Sequence, residues 1–531
     1  MPIERSKDKD FKPLSAGPKP TAQPVGDLPT LRPPRAGSEA TASEPQNLVN
    51  LNYSYPSEPE PALPETGPVV EPVSEASVIA VELPQPQTQS EAKKQKQGVE
   101  DEKLLKKDRW LVRNGHGMTF FALYLFSIMV LFRPYEIVPG LGFLSATAFY
   151  FAIVTLALFL PSQLAIEGNL TMLSTEVKAI LAMTAIALLT MPIARDPGLA
   201  WTKFNDPYIK AVVIFIVLVN VVRTRQRLIN MIWLSLGIGV YLGFSAMDRY
   251  MKGEFNVESY RVAVDVGGMF GNPNEMAMHF VMMTPISFAL GLASKGKTMK
   301  LVYFAITGLF VAANMVTFSR GGFLGLLGTM AVMAWKLGRK HRANVSIASI
   351  IIGGILIVAA PGNYGLRMLS IFIPGLDAVG SSDQRRELLI RSLVVTARNP
   401  WGIGIGNFPL VGLRNLQSHN AFTQVSAELG ILGLVAYMVF MISPFRKLRA
   451  IERALFESGE HKWFYFLAIG LQASIIGYMV SSFFASVAYG WFIYYLIAYA
   501  VAFRRIYSLE TGTTEDIKAP SLWEPRAAEA A

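Results

Sequence analysis

The chain has 531 residues, a mean hydropathy of +0.34 and 51% hydrophobic residues, with charged residues held to 17%; a soluble domain carries about 25%. Its net charge of +10 does not mark a nucleic-acid binder, because the lysines and arginines punctuate apolar runs, as in a membrane protein oriented by its basic loops. Cysteine is absent, which excludes disulfides and thiolate metal sites.

Residues 1–105 read as a disordered, Pro-rich cytoplasmic tail. Prolines recur among Ser, Thr, Glu and Gln, as in Pro56-Ser57-Glu58-Pro59-Glu60-Pro61, and such a segment cannot bury enough apolar surface to offset its chain entropy. Met1 to Pro20 carry no apolar core of a signal peptide, so the first span is expected to serve as an uncleaved anchor. The basic run Lys103 to Arg113 abuts that span and is placed to rest on anionic headgroups.

The membrane domain is expected over 106–505. About twelve apolar segments approach the length a bilayer needs: 118–132, 141–160, 176–193, 207–222, 228–247, 274–293, 301–317, 321–337, 345–361, 419–444, 464–484 and 487–503. The predicted fold is therefore an all-α polytopic bundle. Arg223-Thr224-Arg225-Gln226-Arg227, Lys295 to Lys300, Lys336 to Arg342, Arg446 to Lys462 and Arg504-Arg505 alternate onto one side. The positive-inside rule puts both termini, including the 506–531 tail, in the cytoplasm of an inner (plasma) membrane protein. Two longer loops, about 248–273 and 362–418, then face outward.

Those outer loops hold Arg249, Arg261, Arg367, Arg385, Arg386, Arg391, Arg398 and Arg414, and Arg320 falls in a tight outer turn. Positive charge outside runs against the orienting rule and so has a local purpose. Guanidinium grips phosphate in a bidentate fork; the bland alternative pairs some of these arginines with Asp377, Asp383 and Glu387. His419 is the one histidine of the chain's five that this topology sets at the rim of an outer loop. An outward histidine among outward arginines suits an anionic substrate and a proton transfer.

Three stretches resemble the O-antigen ligase and polymerase family of membrane glycosyltransferases. The first is Arg261-Val262-Ala263 followed by Gly268-Met269-Phe270-Gly271-Asn272-Pro273-Asn274-Glu275. The second is Phe318-Ser319-Arg320-Gly321-Gly322. The third runs from Arg385 through Asn399-Pro400-Trp401-Gly402-Ile403-Gly404-Ile405-Gly406-Asn407-Phe408 to Ser418-His419-Asn420 and Glu428-Leu429-Gly430. A tryptophan that family members carry shortly after the loop arginine is replaced here by Leu389, and Arg385 and Arg386 both match that arginine.

The resemblance implies transfer of a glycan from a polyprenyl-pyrophosphate carrier to a lipid, glycan or protein acceptor at the outer face, with inversion and with no cofactor and no metal. It assigns Arg261, Arg320 and Arg385 or Arg386 to the pyrophosphate and His419 to the acceptor's proton, with Asn274, Asn420 and Glu428 in support. Bland readings stand beside these. His419 and Asn420 fit a helix cap, and Arg320 fits a snorkelling anchor. Glu428 lies nine residues after His419, on the opposite helical face and deeper, where it suits a structural partner for another helix. Glu275 and His279 sit in the outer half of a span and are further candidates to line a cavity. The Gly402–Gly406 run reads as a flexible turn. Because family members have also carried a bicarbonate-carrier label, a solute transporter is the alternative; broken helices and intramembrane ion ligands would favour it.

Overall fold

The computed structural model of the chain describes residues 115–512 apart from 139, 256–259, 267–269, 340–342, 346, 348–349, 352, 355–363 and 370–380. Among the described residues the regular structure is helical. In chain order it comprises α1 (Gly117–Ile137), α2 (Gly142–Glu167), α3 (Thr175–Ile193), α4 (Pro197–Val221), α5 (Arg225–Met251), α6 (Pro273–Ala293) and α7 (Lys297–Val316). There follow α8 (Arg320–Leu337), three loop helices α9 (Tyr364–Leu369), α10 (Ser381–Arg398) and α11 (Phe408–Val411), and then α12 (Ala421–Ser458), α13 (Lys462–Ser482) and α14 (Trp491–Thr511).

Nine of these helices, α1 to α7, α12 and α13, are long and apolar enough to cross a membrane. That is fewer than the twelve spans read from hydropathy. Helix α8 carries Arg320 and Lys336 at its ends, and α14 mixes tyrosines with Arg504 and Arg505, which lowers the mean hydropathy of both. The expected span 345–361 and the expected tails, 1–105 and 506–531, fall wholly or largely outside the described residues. Helix α12, 38 residues long, runs well past its expected end near 444: the amphipathic stretch after Ser443 stops being apolar but does not stop being a good helix former.

The sequence closes its helix starts with short polar side chains, as N-termini with four unpaired N–H groups require. Ser174, Asp196, Thr224, Asn272, Ser319 and Asn420 each accept from a backbone N–H two or three residues on. Helix α6 is the core, buried without interruption from Met276 to Ser287 and packed against α13, α7 and α8. Its contacts are close because small residues face one another. Ser474 Oγ of α13 donates to the Met282 carbonyl of α6 at 2.5 Å, and, between its neighbours, Ser481 Oγ of α13 donates to the Gly321 carbonyl of α8 at 3.1 Å.

At the end bearing the basic loops, three carboxylates knit the bundle. Glu176 takes Arg504 at 2.7 and 3.0 Å with Lys447 at 3.6 Å. Glu452 takes Lys336 at 2.7 Å and also Arg339. Glu167 takes Arg223 at 3.0 Å and also Arg505. Several arginines and lysines read as orienting charges are thus also interhelical ties, each expensive to break from one side because a buried charge is left uncompensated.

Candidate active site

Three helix starts organise the other end. Asn272 begins α6, Ser319 begins α8 and Asn420 begins α12, and a non-glycine residue in the left-handed region precedes each: Phe270 (φ 63°), Phe318 (φ 50°) and His419 (φ 51°). That conformation costs a residue with a Cβ and is held only where the surroundings dictate it.

Around Arg320 the surroundings are explicit. Arg261 Nε donates to the Thr317 carbonyl at 3.0 Å and Arg261 Nη2 to Asn274 Oδ1 at 2.9 Å. The same Asn274 oxygen accepts from Ser319 Oγ at 2.8 Å, while Ser319 Oγ accepts the Gly322 N–H at 3.1 Å. Arg367 Nε donates to the Phe318 carbonyl at 2.8 Å. Two arginines therefore grip the carbonyls of 317 and 318, and the turn presents Arg320 as the first residue of α8. Gly322 is needed for the close approach: a Cβ there would meet Ala277 Cβ and Asn314 Oδ1, both at 2.6 Å.

His419 is set from the α13–α14 link. Its backbone N–H donates to Ser486 Oγ at 2.8 Å, and Ser418 Oγ lies 3.1 Å from that hydroxyl. The helix cap is Asn420, whose Oδ1 accepts from Phe422 and Thr423 at 2.9 and 3.1 Å. The imidazole itself is half-buried and lines a cavity of about 240 Å³ with Arg320, Arg385, Arg386, Ser418 and Asn420; Leu324, Leu389, Phe483 and Phe484 complete its walls. Burial, and then the positive charge of Arg385, hold the His419 pKa below that of an ordinary imidazole.

Of the residues singled out by sequence, His419, Arg320, Arg385, Arg386 and Asn420 thus meet at one cavity, with Arg385 and Arg386 sharing its wall. Arg261 and Asn274 do not line it; they stand one hydrogen-bonded layer away and shape the turn that does. His279 is elsewhere, buried among Phe270, Phe280 and Phe492 with Nε2 3.2 Å from the Ser235 carbonyl. The Phe483–Phe484 wall and Ser486 were not visible in the sequence, where nothing ties a short apolar link after α13 to a loop more than sixty residues earlier.

The glycine run is not a flexible turn. Residues 402–408 are all buried, and they are spliced into a break in α12. At Gly430 (φ 74°, ψ −174°) the helix opens. The Ala427 and Glu428 carbonyls accept from Ile403 and Gly404 at 3.0 and 2.9 Å, and Ile431 N–H donates to the Pro400 carbonyl at 2.9 Å. Glu428, buried and outside the 240 Å³ cavity, accepts the Phe408 N–H at 3.3 Å at the start of α11. On the far side Asn407 Oδ1 accepts the Asp196 N–H at 2.7 Å, and the Arg195 N–H donates to the Ile403 carbonyl at 2.9 Å. The loop thereby ties α12 to the α3–α4 link.

The helical bundle thus gathers a histidine and three arginines around one cavity. Residues 305–438, about a quarter of the chain, match the family model for O-antigen ligase, the family that the motifs resemble. The match takes in Arg320, Arg385, Arg386, His419, Asn420 and Glu428; Arg261 and Asn274 lie before it. No curated protein matches the chain.

Proposed function

We propose that this O-antigen ligase-type membrane enzyme transfers a glycan from a polyprenyl-pyrophosphate carrier to an acceptor hydroxyl at the outer face of the membrane. The observation that supports this most is the cavity that gathers Arg320, Arg385 and Arg386 with His419. The acceptor oxygen attacks the anomeric carbon, the bond from that carbon to the carrier's phosphate oxygen breaks, and the pyrophosphate leaves with the electron pair. Negative charge gathers on the leaving group, where fixed guanidiniums stabilise it more than they stabilise the ground state. The acceptor's proton passes to the His419 imidazole, attack from the opposite side inverts the anomeric centre, and the bond broken supplies the energy, so ATP is not required; the guanidiniums take the charge-stabilising role that a metal would otherwise fill. Broken helices would favour the transport alternative, and α12 is broken at Gly430, but the backbone groups opened there are occupied by Pro400, Ile403 and Gly404.

The experiment is in vitro transfer from a pyrophosphate-linked oligosaccharide in EDTA. Wild type should remain active, and Arg320→Ala should lose about 10²-fold, the scale of one preorganised charge-stabilising donor. An Arg320→Ala variant as active as wild type would sink the assignment, and loss of wild-type activity in EDTA would sink metal independence.

The pH profile carries a second expectation. Both burial and Arg385 disfavour the imidazolium, so His419 stays neutral, and competent as a base, to a lower pH than a free imidazole. Activity should fall only as pH drops below about 6.5. Arg385→Gln removes one of the two causes, so its acid limb should move to higher pH, measured as kcat/KM over about pH 5 to 8. An unshifted limb would mean that another group titrates.

A further inference from the structure

Helix α10 serves two cavities. Arg385, Arg386 and Leu389 face the His419 cavity, whereas Glu387, Ile390, Arg391, Val394, Val395 and Arg398 line a second one of about 600 Å³. At about 100° per residue the two sets lie on nearly opposite faces of the helix. Arg195 from the α3–α4 link, Asn399, and Leu410 and Val411 from α11 complete the second cavity. Arg391 is held at its rim by donating from Nε to the Val411 carbonyl.

The lining is amphiphilic. Three guanidiniums stand against the single carboxylate of Glu387, beside an apolar wall of Ile390, Val394, Val395, Leu410 and Val411. Ile390, Val394 and Leu410 are themselves 53, 42 and 50% exposed, which is costly in water and ordinary against acyl chains. The depth fits as well. Arg195 sits in the short link between Ile193, where one candidate span ends, and Pro197, where the next begins, and so lies at the bilayer boundary. A free saccharide would ask for aromatic faces and several hydroxyl partners. Among the described residues the lining has no aromatic side chain, and Asn399 is the one uncharged polar residue there.

We propose that this cavity binds an anionic phospholipid, its phosphate held by Arg195, Arg391 and Arg398 and its acyl chain laid along Ile390, Val394 and Leu410. Guanidinium forks match phosphate oxygens while their stems cover apolar surface, and basic residues at an interface attract anionic lipid. The lipid braces the face of α10 opposite the one that carries Arg385 and Arg386. The site does not depend on His419 being a catalyst.

The test uses the full-length protein, delipidated in detergent, with native mass spectrometry after addition of phosphatidylglycerol or phosphatidylcholine of the same acyl chains. Phosphatidylglycerol should be retained well above phosphatidylcholine. Each arginine near an anionic surface is worth roughly fivefold in affinity, so Arg195→Ala/Arg391→Ala/Arg398→Ala should lose on the order of a hundredfold. The corresponding triple lysine variant, which keeps the charge, should retain most of the binding. If the alanine triple fails to fold, Arg398→Gln alone should show the roughly fivefold loss of one arginine. Equal retention of the two lipids, or of phosphatidylglycerol by wild type and the alanine variants, would overturn the proposal. Displacement of the lipid by glycerol phosphate as effective as by a second lipid would overturn its acyl half.

Discussion

Replacing His419 with Asn should lower transfer by about 10³-fold, within the range a positioned base contributes, while leaving thermal stability unchanged. The choice of Asn follows from the backbone. His419 lies at φ 51°, where Ala would add strain and Asn is tolerated. The contacts that hold the segment are untouched by the substitution: Ser486 accepts from the main chain of residue 419, and the helix cap belongs to Asn420. A large loss of activity in a fully folded variant therefore reads out the imidazole. Since the proposed pyrophosphate ligands Arg320, Arg385 and Arg386 remain, kcat and kcat/KM should fall together with KM little changed. A loss of less than about tenfold with wild-type stability would remove His419 from the reaction, since a positioned base contributes at least about 10²-fold.

What the sequence made legible was local. Once hydropathy has ordered the spans, Arg320, in a tight turn, and His419, at the rim of a long loop beside a cap-forming Asn420, fall at the same end of the bundle. The cavity joining them to Arg385 and Arg386 is assembled from these short-range signals and a family pattern. What was not legible depends on segments meeting across long separations. That Arg261 holds the Thr317 carbonyl and Asn274, one layer behind the cavity wall, cannot be inferred from spacing. Arg504 and Arg505 read as orienting charges because Glu176 and Glu167 lie more than three hundred residues away. The glycine run reads as slack because its packing partner is a helix break, and a helix break with glycine looks in sequence like any glycine in an apolar span.

Gly430 is where that last misreading has its largest consequence. Gly430→Ala should undock the 400–408 loop and abolish activity. At φ 74° and ψ −174° the backbone occupies a region essentially restricted to glycine, a cost of about 1 to 3 kcal/mol for any other residue. A Cβ would also stand 2.3 Å from the Pro400 carbonyl oxygen and 2.5 Å from the Trp401 carbonyl carbon, against backbone that cannot rotate away. The alternative open to the alanine variant is to close α12 into a continuous helix. Closure would withdraw the Ala427 and Glu428 carbonyls from Ile403 and Gly404 and strip the loop of its hold on α12. The loop also carries the Asn407 contact to Asp196 and receives α11 at Glu428, so these loosen together, and α10 loses the anchor at its C-terminal end. The expected result is faster proteolysis between 399 and 412 and a lowered Tm. Gly308→Ala in α7 is the control: nothing lies within 4 Å of the added Cβ, so that variant should be as stable as wild type or more so, by up to about 1 kcal/mol from helix propensity. If Gly430→Ala matches the Gly308→Ala control in proteolysis and Tm, the break in α12 is not what holds the loop.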